Sequence, residues 1–244
     1  MGGDPDPERF LTFAGEVTKH TDILEVGIPF SDPIADGPSI QAAGLRALTS
    51  GTRVRSVIEW CSVLSRRVPV AVMCYYNTVH RMGEEEFVSR LAEAGVSGLI
   101  VPDLPLEEGR SLRRTCARSS VDSILLASPA TGDQRARRIA ASTSGFLYVV
   151  SRYGTTGEGA SMPSQAMELL SKYKSISPLP VAVGFGISTP SHVSQLASSG
   201  ADGAVVGSAI VSRIGSGGTP EQLGEFVASL KAATRDRSGQ GPLS

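Results

Sequence analysis

Short apolar runs alternate with longer amphipathic segments along the whole chain. We predict seven strands, at 23–26, 68–73, 98–101, 123–126, 146–150, 181–184 and 204–206. Between the strands, apolar positions recur with helical spacing, as they do in 54–64 and in 84–94. This alternation predicts repeated βα units around a parallel sheet.

The fold class that this pattern predicts is an α/β protein, a (β/α)8 TIM barrel. A closed barrel needs eight strands, and the sequence shows seven. The first helix is predicted at 8–19, directly after Pro5 and Pro7, so an eighth strand would have to precede Met1. Either the start is truncated or the barrel lacks its first strand.

Composition fits one domain of this size. The chain has 244 residues, of which 41% are hydrophobic and 19% are charged. We predict a single domain over residues 1–234 and a disordered polar tail at 235–244. A net charge of -1 without a long basic run argues against nucleic acid or an anionic membrane as a partner.

Three cysteines lie far apart, at Cys61, Cys74 and Cys116, without a CxxC motif. This pattern argues against a disulfide framework and favours a reducing compartment. The N-terminal residues have neither the charged nor the apolar region of a signal peptide. We therefore predict a cytoplasmic protein.

Two acids lie in the segment 23–38. Glu25 ends an apolar run, and Asp36 sits in a loop stiffened by three prolines. Strand alternation places Glu25 on the same face as Ile23 and Gly27, so its side chain can point into the barrel mouth. Taken alone, Glu25 can equally be a structural acid neutralised by an arginine, and Asp36 can simply belong to an Asp-Gly turn.

Glycine-rich loops follow the last two predicted strands. They are Gly184-Phe185-Gly186-Ile187-Ser188 and Gly207-Ser208. Glycine lets backbone N–H groups approach an anion, and a helix that begins at the second loop adds a favourable dipole. Tight βα turns are the alternative, but the corresponding loops of TIM barrels commonly bind phosphate. Two such loops together favour a phosphate site.

The segment 151–159 follows the predicted strand at 146–150 and is rich in glycine and polar residues. Its place on the active face predicts a mobile lid rather than an ordinary surface loop. Tyr148 shares a strand face with Phe146 and Val150. Its side chain either packs in the core or directs its hydroxyl into the site.

The positions of lysine and histidine limit the chemistry. The four lysines are Lys19, Lys172, Lys174 and Lys231, and none ends a predicted strand, where a Schiff-base lyase would need one. The three histidines, His20, His80 and His192, lie far apart in helical or loop segments. We interpret them as surface residues and predict no metal site. An acid-base reaction without a cofactor remains.

These motifs resemble the α subunit of tryptophan synthase, from Gly3-Asp4-Pro5 to about Ala232. The segment around Glu25 and Asp36, with Ile40-Gln41 and Arg46-Ala47-Leu48 after it, follows the family signature closely. The further matches are Val101-Pro102-Asp103-Leu104-Pro105, Ser151-Arg152, Thr156-Gly157, Gly184-Phe185-Gly186-Ile187 and Gly207-Ser208-Ala209-Ile210.

The resemblance implies a lyase of tryptophan biosynthesis, which cleaves indole-3-glycerol phosphate to indole and glyceraldehyde 3-phosphate by a retro-aldol reaction. Glu25 matches the acid-base glutamate of the family, and Asp36 matches the aspartate that accepts the indole N–H. The chemistry agrees, because cleavage requires a proton on indole C3 and a base for the glycerol hydroxyl.

The resemblance also implies roles for residues around the two acids. Tyr148 would orient Glu25 or the glycerol moiety, and Thr156 would engage Asp36 when the lid closes. Backbone N–H groups of Gly157, Gly186, Gly207 and Ser208 would bind the phosphate. Phe185 would lie against the indole, and Met73 and Ile100 would line the same pocket.

The family acts with a β subunit, which carries pyridoxal phosphate, in an α2β2 heterotetramer. The resemblance therefore implies that this chain holds no cofactor. The loop around Asp32 and the segment 103–105 would face the β subunit.

The sequence departs from the family at its start, where members carry a helix and a first barrel strand before Gly-Asp-Pro. A late start codon or a cloned fragment would explain the difference. Two other functions stay open at this point: a standalone indole-producing lyase, and a non-catalytic regulatory α subunit with an open barrel.

Overall fold

The computed structural model describes residues 1–150, 164–184 and 186–235. Eight strands lie in these ranges: β1 (Leu24–Gly27), β2 (Val70–Met73), β3 (Gly98–Ile100), β4 (Asp122–Ile124), β5 (Leu126–Ala127), β6 (Leu147–Val150), β7 (Val181–Gly184) and β8 (Gly203–Ala204). The helices of the same ranges are α1 (Pro7–Val17), α2 (Pro38–Thr49), α3 (Val54–Leu64), α4 (Tyr76–Met82), α5 (Glu84–Glu93), α6 (Arg110–Arg118), α7 (Asp133–Ser142), α8 (Ser164–Ile176), α9 (Pro190–Ser198), α10 (Ser208–Gly215) and α11 (Pro220–Ala233).

The strands form two parallel sheets, in the orders β1-β2-β3-β4 and β5-β6-β7-β8. Neighbours in each sheet are consecutive along the chain, as βα units require. Six of the seven predicted strands are confirmed, with ends that differ by at most two residues. The prediction of one continuous strand at 123–126 is wrong, because Leu125 divides this run into β4 and β5.

The junction between the two sheets at Leu125 is called the first seam here. The hydroxyl of Thr143 accepts a hydrogen bond from the Leu125 N–H at 3.0 Å and donates one to the Phe146 carbonyl at 3.0 Å. The Leu125 carbonyl accepts from the Tyr148 N–H at 3.1 Å. The continuous chain and these bonds hold the sheets together.

The junction between β8 and β1 is called the second seam. No strand pairing joins these two strands in the part of the chain that the structure describes. The N-terminal segment, residues 1–6, contacts β1 instead, where the Gly2 N–H donates to the Gly27 carbonyl at 2.8 Å. Outside the seam, α1 packs against α11, and Lys231 Nζ on α11 lies 2.7 Å from Asp22 Oδ1. Side chains and the N-terminal segment thus bridge this edge.

The contact between α1 and α11 is apolar. Four buried side chains form a cluster there: Phe13, Val17, Leu223 and Val227. Both helices start on residues that favour this structure. Asp6 caps α1 by accepting from the Arg9 N–H at 2.9 Å, and Thr219 begins α11 with a capping box.

Two larger cores lie between the sheets and the surrounding helices. The first packs α1, α3, α5 and α6 against β1–β3 and contains the three cysteines, which are free and buried. The second packs α7, α8, α9 and α11 against β5–β7. Inside the barrel, Ala71, Ile100, Ile124 and Tyr148 form a separate buried cluster.

Two predictions fall on other parts of the chain. The predicted lid at 151–159 lies outside the described residues, as does the predicted tail except for Arg235. A single domain over 1–234 stays a prediction. Among the residues described, no helix combines the length and apolar character needed to cross a bilayer.

Candidate functional site

A cavity of about 1870 Å³ opens at the carboxyl ends of the strands. It is lined by Glu25, Asp36, Met73, Tyr148, Gly186, Gly207 and Ser208 among the predicted site residues. This volume exceeds the range of about 300–1,000 Å³ that is usual for small-molecule sites. The cavity is large because it continues along the second seam to Ile23 and Leu24.

Glu25 lies on β1 opposite Ala71 of β2, and its side chain faces the cavity. The neighbouring Val26 points the other way, into the outer core, as strand alternation predicts. Burial raises the pKa of Glu25 to about 7, and the negative charge of Asp36 also raises it. Glu25 is therefore suited to give and to take a proton near neutral pH.

Asp36 lies in the loop before α2, where the Tyr75 hydroxyl donates a hydrogen bond to its carboxylate. The same hydroxyl accepts from the Ala35 N–H at 2.9 Å. Burial raises the pKa of Asp36, while the bond from Tyr75 lowers it. The Tyr75 ring stacks on Phe30, with 5.2 Å between the ring centroids. Tyr75 therefore fixes the position of Asp36.

Sequence reasoning missed Tyr75. The signal that could have found it is its position, two residues after β2 on the face where TIM barrels carry their sites. Its bonds to the Asp36 loop span about forty residues of sequence, however, and no local pattern indicates such a contact.

Tyr148 combines the two interpretations that the sequence left open. Its side chain is buried in the cluster inside the barrel, and it also lines the cavity. Burial, followed by the negative charge of Glu25, raises the pKa of Tyr148 well above its ordinary value. A Cβ at Gly184 would lie 2.9 Å from the Tyr148 hydroxyl, so glycine leaves the space that this side chain occupies.

The proposed phosphate end of the cavity is the start of α10. Gly207 precedes the helix, Ser208 begins it, and both line the cavity. The first N–H groups of a helix have no partner within the helix, and the helix dipole favours an anion there. Gly186, which follows β7, has φ +60° and lies at the same end.

Other predicted residues are placed differently. Ile100 does not line the cavity, because it is fully buried in the cluster inside the barrel. Thr156, Gly157 and Phe185 lie outside the described residues. The interpretation of His192 as a surface residue is wrong, since it is 3% exposed and packs in α9. The described ranges contain no group of three or more His, Cys, Asp or Glu side chains placed to hold a metal.

Comparison with known proteins identifies the family. A family model described as tryptophan synthase alpha chain matches residues 1–237. The chain belongs to the tryptophan synthase alpha chain family. A tryptophan synthase alpha chain from Methanocaldococcus jannaschii is 47% identical over 214 residues, which are 86% of this chain and 76% of the relative. Another, from Trichormus variabilis, is 43% identical over 239 residues, covering 96% of this chain and 90% of the relative.

Solved tryptophan synthase structures share the fold. A Mycobacterium tuberculosis tryptophan synthase chain superposes with a TM-score of 0.90 at 34% identity, covering 96% of this chain and 90% of that one. A chain of the Pyrococcus furiosus tryptophan synthase a2b2 complex gives 0.87 at 38% identity, covering 98% and 95%. The prediction of a TIM barrel is thus confirmed. The tryptophan synthase alpha chain family cleaves indole-3-glycerol phosphate to indole and glyceraldehyde 3-phosphate.

Proposed function

We propose that this alpha chain performs the family's lyase reaction with Glu25 as its acid-base group and Asp36 as the acceptor of the indole N–H. The observation that carries the proposal is the position of Glu25, with a pKa of about 7, in the same cavity as Asp36 and the start of α10. Indole-3-glycerol phosphate offers a counterpart to each of these three features: its indole N–H for Asp36, the bond at indole C3 for Glu25 and its phosphate for the start of α10.

Glu25 would act twice in the reaction. In its acid form it gives a proton to indole C3, and the ring nitrogen then carries the positive charge as an iminium. The bond from C3 to the glycerol carbon breaks, and its electron pair restores the indole. The glycerol hydroxyl loses its proton to the Glu25 carboxylate and becomes the aldehyde carbonyl of glyceraldehyde 3-phosphate. The proton count balances, and Glu25 ends protonated again.

Asp36 would stabilise the intermediate through its charge. A carboxylate that accepts the indole N–H favours the iminium over the neutral ring, so its effect is greatest where positive charge develops. The hydrogen bond from Tyr75 keeps the carboxylate in place and favours its ionised form. Tyr148, whose pKa responds to the charge of Glu25, would orient that carboxyl group.

The phosphate would bind to backbone N–H groups of Gly186, Gly207 and Ser208, and Met73 would line the indole pocket. Gly157, Thr156 and Phe185 remain predicted contributors. Each of the four lysines is ion-paired with an acidic side chain: Lys19 with Glu16, Lys172 with Asp133, Lys174 with Asp202 and Lys231 with Asp22. This supports acid-base cleavage rather than an imine to the chain.

The partner would be a tryptophan synthase beta subunit in an α2β2 complex, and pyridoxal phosphate belongs to that subunit. Two rim segments, the loop around Asp32 and residues 103–105, form the proposed contact surface. Tyr75 binds the first loop, and the Tyr76 N–H donates to Asp103 of the second at 2.8 Å. Ile34, at the tip of the first loop, is 74% exposed. The three free thiols fit a cytoplasmic location.

The decisive experiment follows indole release from indole-3-glycerol phosphate by Glu25→Gln. Glutamine keeps the shape but cannot exchange the proton, so we expect turnover to fall by about 10²- to 10⁴-fold. Binding of glycerol 3-phosphate, measured by calorimetry, should stay within a few-fold of the unmodified protein. Glu59→Gln, on the exposed face of α3, is the matched control.

Near-normal turnover of Glu25→Gln would remove Glu25 from its proposed role. If the unmodified chain releases no indole, alone or with a beta subunit, the proposed function itself is wrong. Full activity alone with no gain from a beta subunit would identify a standalone lyase.

A further inference from the structure

A buried ion pair lies behind the site, between Asp4 of the N-terminal segment and Arg46 of α2. Arg46 Nε lies 2.7 Å from Asp4 Oδ1, and Nη2 lies 3.0 Å from Oδ2, so the pair is bidentate. The Asp4 side chain is completely buried, whereas that of Arg46 is 32% exposed. Such a pair holds distance and orientation together, because both hydrogen bonds are directional.

The same guanidinium group reaches a third element, α10. Nη2 donates to the Val211 carbonyl at 3.3 Å. At the end of this helix, a Cβ on Gly215 would lie 2.8 Å from Nη1, so the guanidinium packs directly against the glycine. Arg46 therefore joins α2, α10 and the N-terminal segment at one point.

Each joined element bears, or is bonded or adjacent to, one part of the proposed site. The N-terminal segment is bonded to the end of β1, which bears Glu25, through the Gly2 N–H and the Gly27 carbonyl. Asp36 lies just before α2. Gly207 and Ser208 begin α10. Nearer the cavity, Ser212 Oγ donates to Ser39 Oγ at 3.1 Å and provides a second tie between α2 and α10.

We propose that the Asp4–Arg46 pair is a positioning device, which fixes the spacing between the phosphate-binding start of α10 and the two acids. This inference rests on the proposed function. A substrate that spans the cavity needs both ends in register, whereas a ligand that occupies only the phosphate end does not. The pair therefore affects the reaction of a substrate that has both an indole and a phosphate, and it hardly affects the binding of glycerol 3-phosphate.

The test compares these two ligands in Arg46→Lys, which keeps the charge but loses the planar fork. We expect kcat/KM for indole-3-glycerol phosphate to fall by about 10- to 100-fold, mainly in kcat, because small misplacements of reacting groups strongly slow a reaction. The Kd for glycerol 3-phosphate should change by less than about threefold. Arg90→Lys, which alters an exposed pair with Glu86 on α5, is the control.

A second variant covers the case in which Arg46→Lys fails to fold. Gly215→Ala keeps both charges and displaces the guanidinium through the added methyl group, so we expect the same difference between the ligands, at a smaller size. Asp4→Asn combined with Arg46→Lys should lose less than the product of the two single effects, because both changes disrupt one pair.

Two results would overturn the proposal. One is an unchanged kcat/KM in folded Arg46→Lys or Gly215→Ala. The other is an equal loss for both ligands, which indicates a merely structural pair. If the unmodified protein does not cleave indole-3-glycerol phosphate, the proposed function fails separately. The Kd of that uncleaved compound, compared with the Kd of glycerol 3-phosphate, then decides on the pair.

Discussion

The first seam of the barrel is joined by the continuous chain at Leu125, with a backbone hydrogen bond to Tyr148 and one from Leu125 to the Thr143 hydroxyl. The second seam, between β8 and β1, has no strand pairing in the described part of the chain and is bridged mainly by side chains, with one backbone hydrogen bond from the N-terminal segment to β1. Backbone bonds depend little on residue type. A side-chain bridge depends on the particular residues that form it. The geometry of the second seam is therefore encoded in few positions.

The candidate site lies at the second seam. Glu25 is on β1, and the start of α10 follows β8, so the two ends of the proposed substrate contact opposite sides of the junction. The difference between the seams indicates that the geometry of the candidate site depends on residues outside the strands. Apolar packing, a buried acid and ion pairs should contribute to the stability of the protein to different extents. The four experiments below measure these contributions separately.

The largest effect is expected from the apolar closure of the second seam. Phe13 is 2% exposed in the cluster between α1 and α11. Phe13→Ala should lower the free energy of unfolding by about 3–5 kcal/mol, because it leaves a cavity. Urea denaturation measures this value. Phe13→Leu retains most of the volume and should lose markedly less. A loss below about 1 kcal/mol would show that this cluster does not close the seam.

Glu25 should make stability depend on pH. Burial raises its pKa from 4.5 to about 7, so the native state favours the protonated acid. This contribution is fully present below pH 4.5 and is lost as pH rises through 7. The shift corresponds to about 3 kcal/mol.

Glu25→Gln removes the titrating group at the second seam. Unfolding measured from pH 5 to 8 should show a smaller decline in the variant than in the unmodified protein, and the variant should be the more stable of the two at pH 8. Parallel curves for the two proteins would contradict a raised pKa.

At the first seam, the hydroxyl of Thr143 is the hydrogen-bonding group that a substitution can remove. Thr143→Val leaves the Leu125 N–H without its acceptor and should lower the free energy of unfolding by about 1–3 kcal/mol. Thr143→Ser keeps the hydroxyl and is the control. Because Glu25, Asp36 and the start of α10 all lie away from this seam, and only the backbone of Tyr148 is bonded to it, kcat/KM should change little. A large loss of activity in a stable Thr143→Val protein would mean that the seams are coupled.

The smallest effect is expected for the Lys231–Asp22 pair on the outside of the second seam. The Asp22 side chain is 76% exposed, so water and salt screen the attraction. Lys231→Met should change the free energy of unfolding by no more than about 1 kcal/mol. Repeating the denaturation in 0.5 M NaCl, roughly a threefold rise over the physiological ionic strength of about 0.15 M, should reduce even this difference. A larger loss of stability would show that this pair contributes to the closure of the second seam on the scale expected for Phe13.

Much of this architecture is predictable from sequence because it depends on local periodicity. The strand faces of Glu25 and Val26 follow from alternation, and the glycines after β7 and β8 lie where a barrel binds phosphate. Helix α3 matches its predicted bounds, 54–64, because its apolar residues recur at helical spacing.

Other features depend on contacts between distant residues. The break at Leu125 requires the hydroxyl of Thr143, and the Asp4–Arg46 pair joins residues separated by 42 positions. The burial of His192 depends on how α9 packs. Ile100 lies beneath the cavity rather than beside it, a difference in depth that strand alternation alone does not specify.

The distribution of the buried thiols gives the protein a built-in reporter. Cys61, Cys74 and Cys116 all belong to the core around β1–β3, and burial raises the pKa of each thiol. Each thiol is nearly inert until that core opens. The rate at which an alkylating reagent modifies the thiols therefore reports the opening of one half of the barrel. The core around β5–β7 contributes no thiol to this signal, so alkylation reports the opening of the β1–β3 half alone.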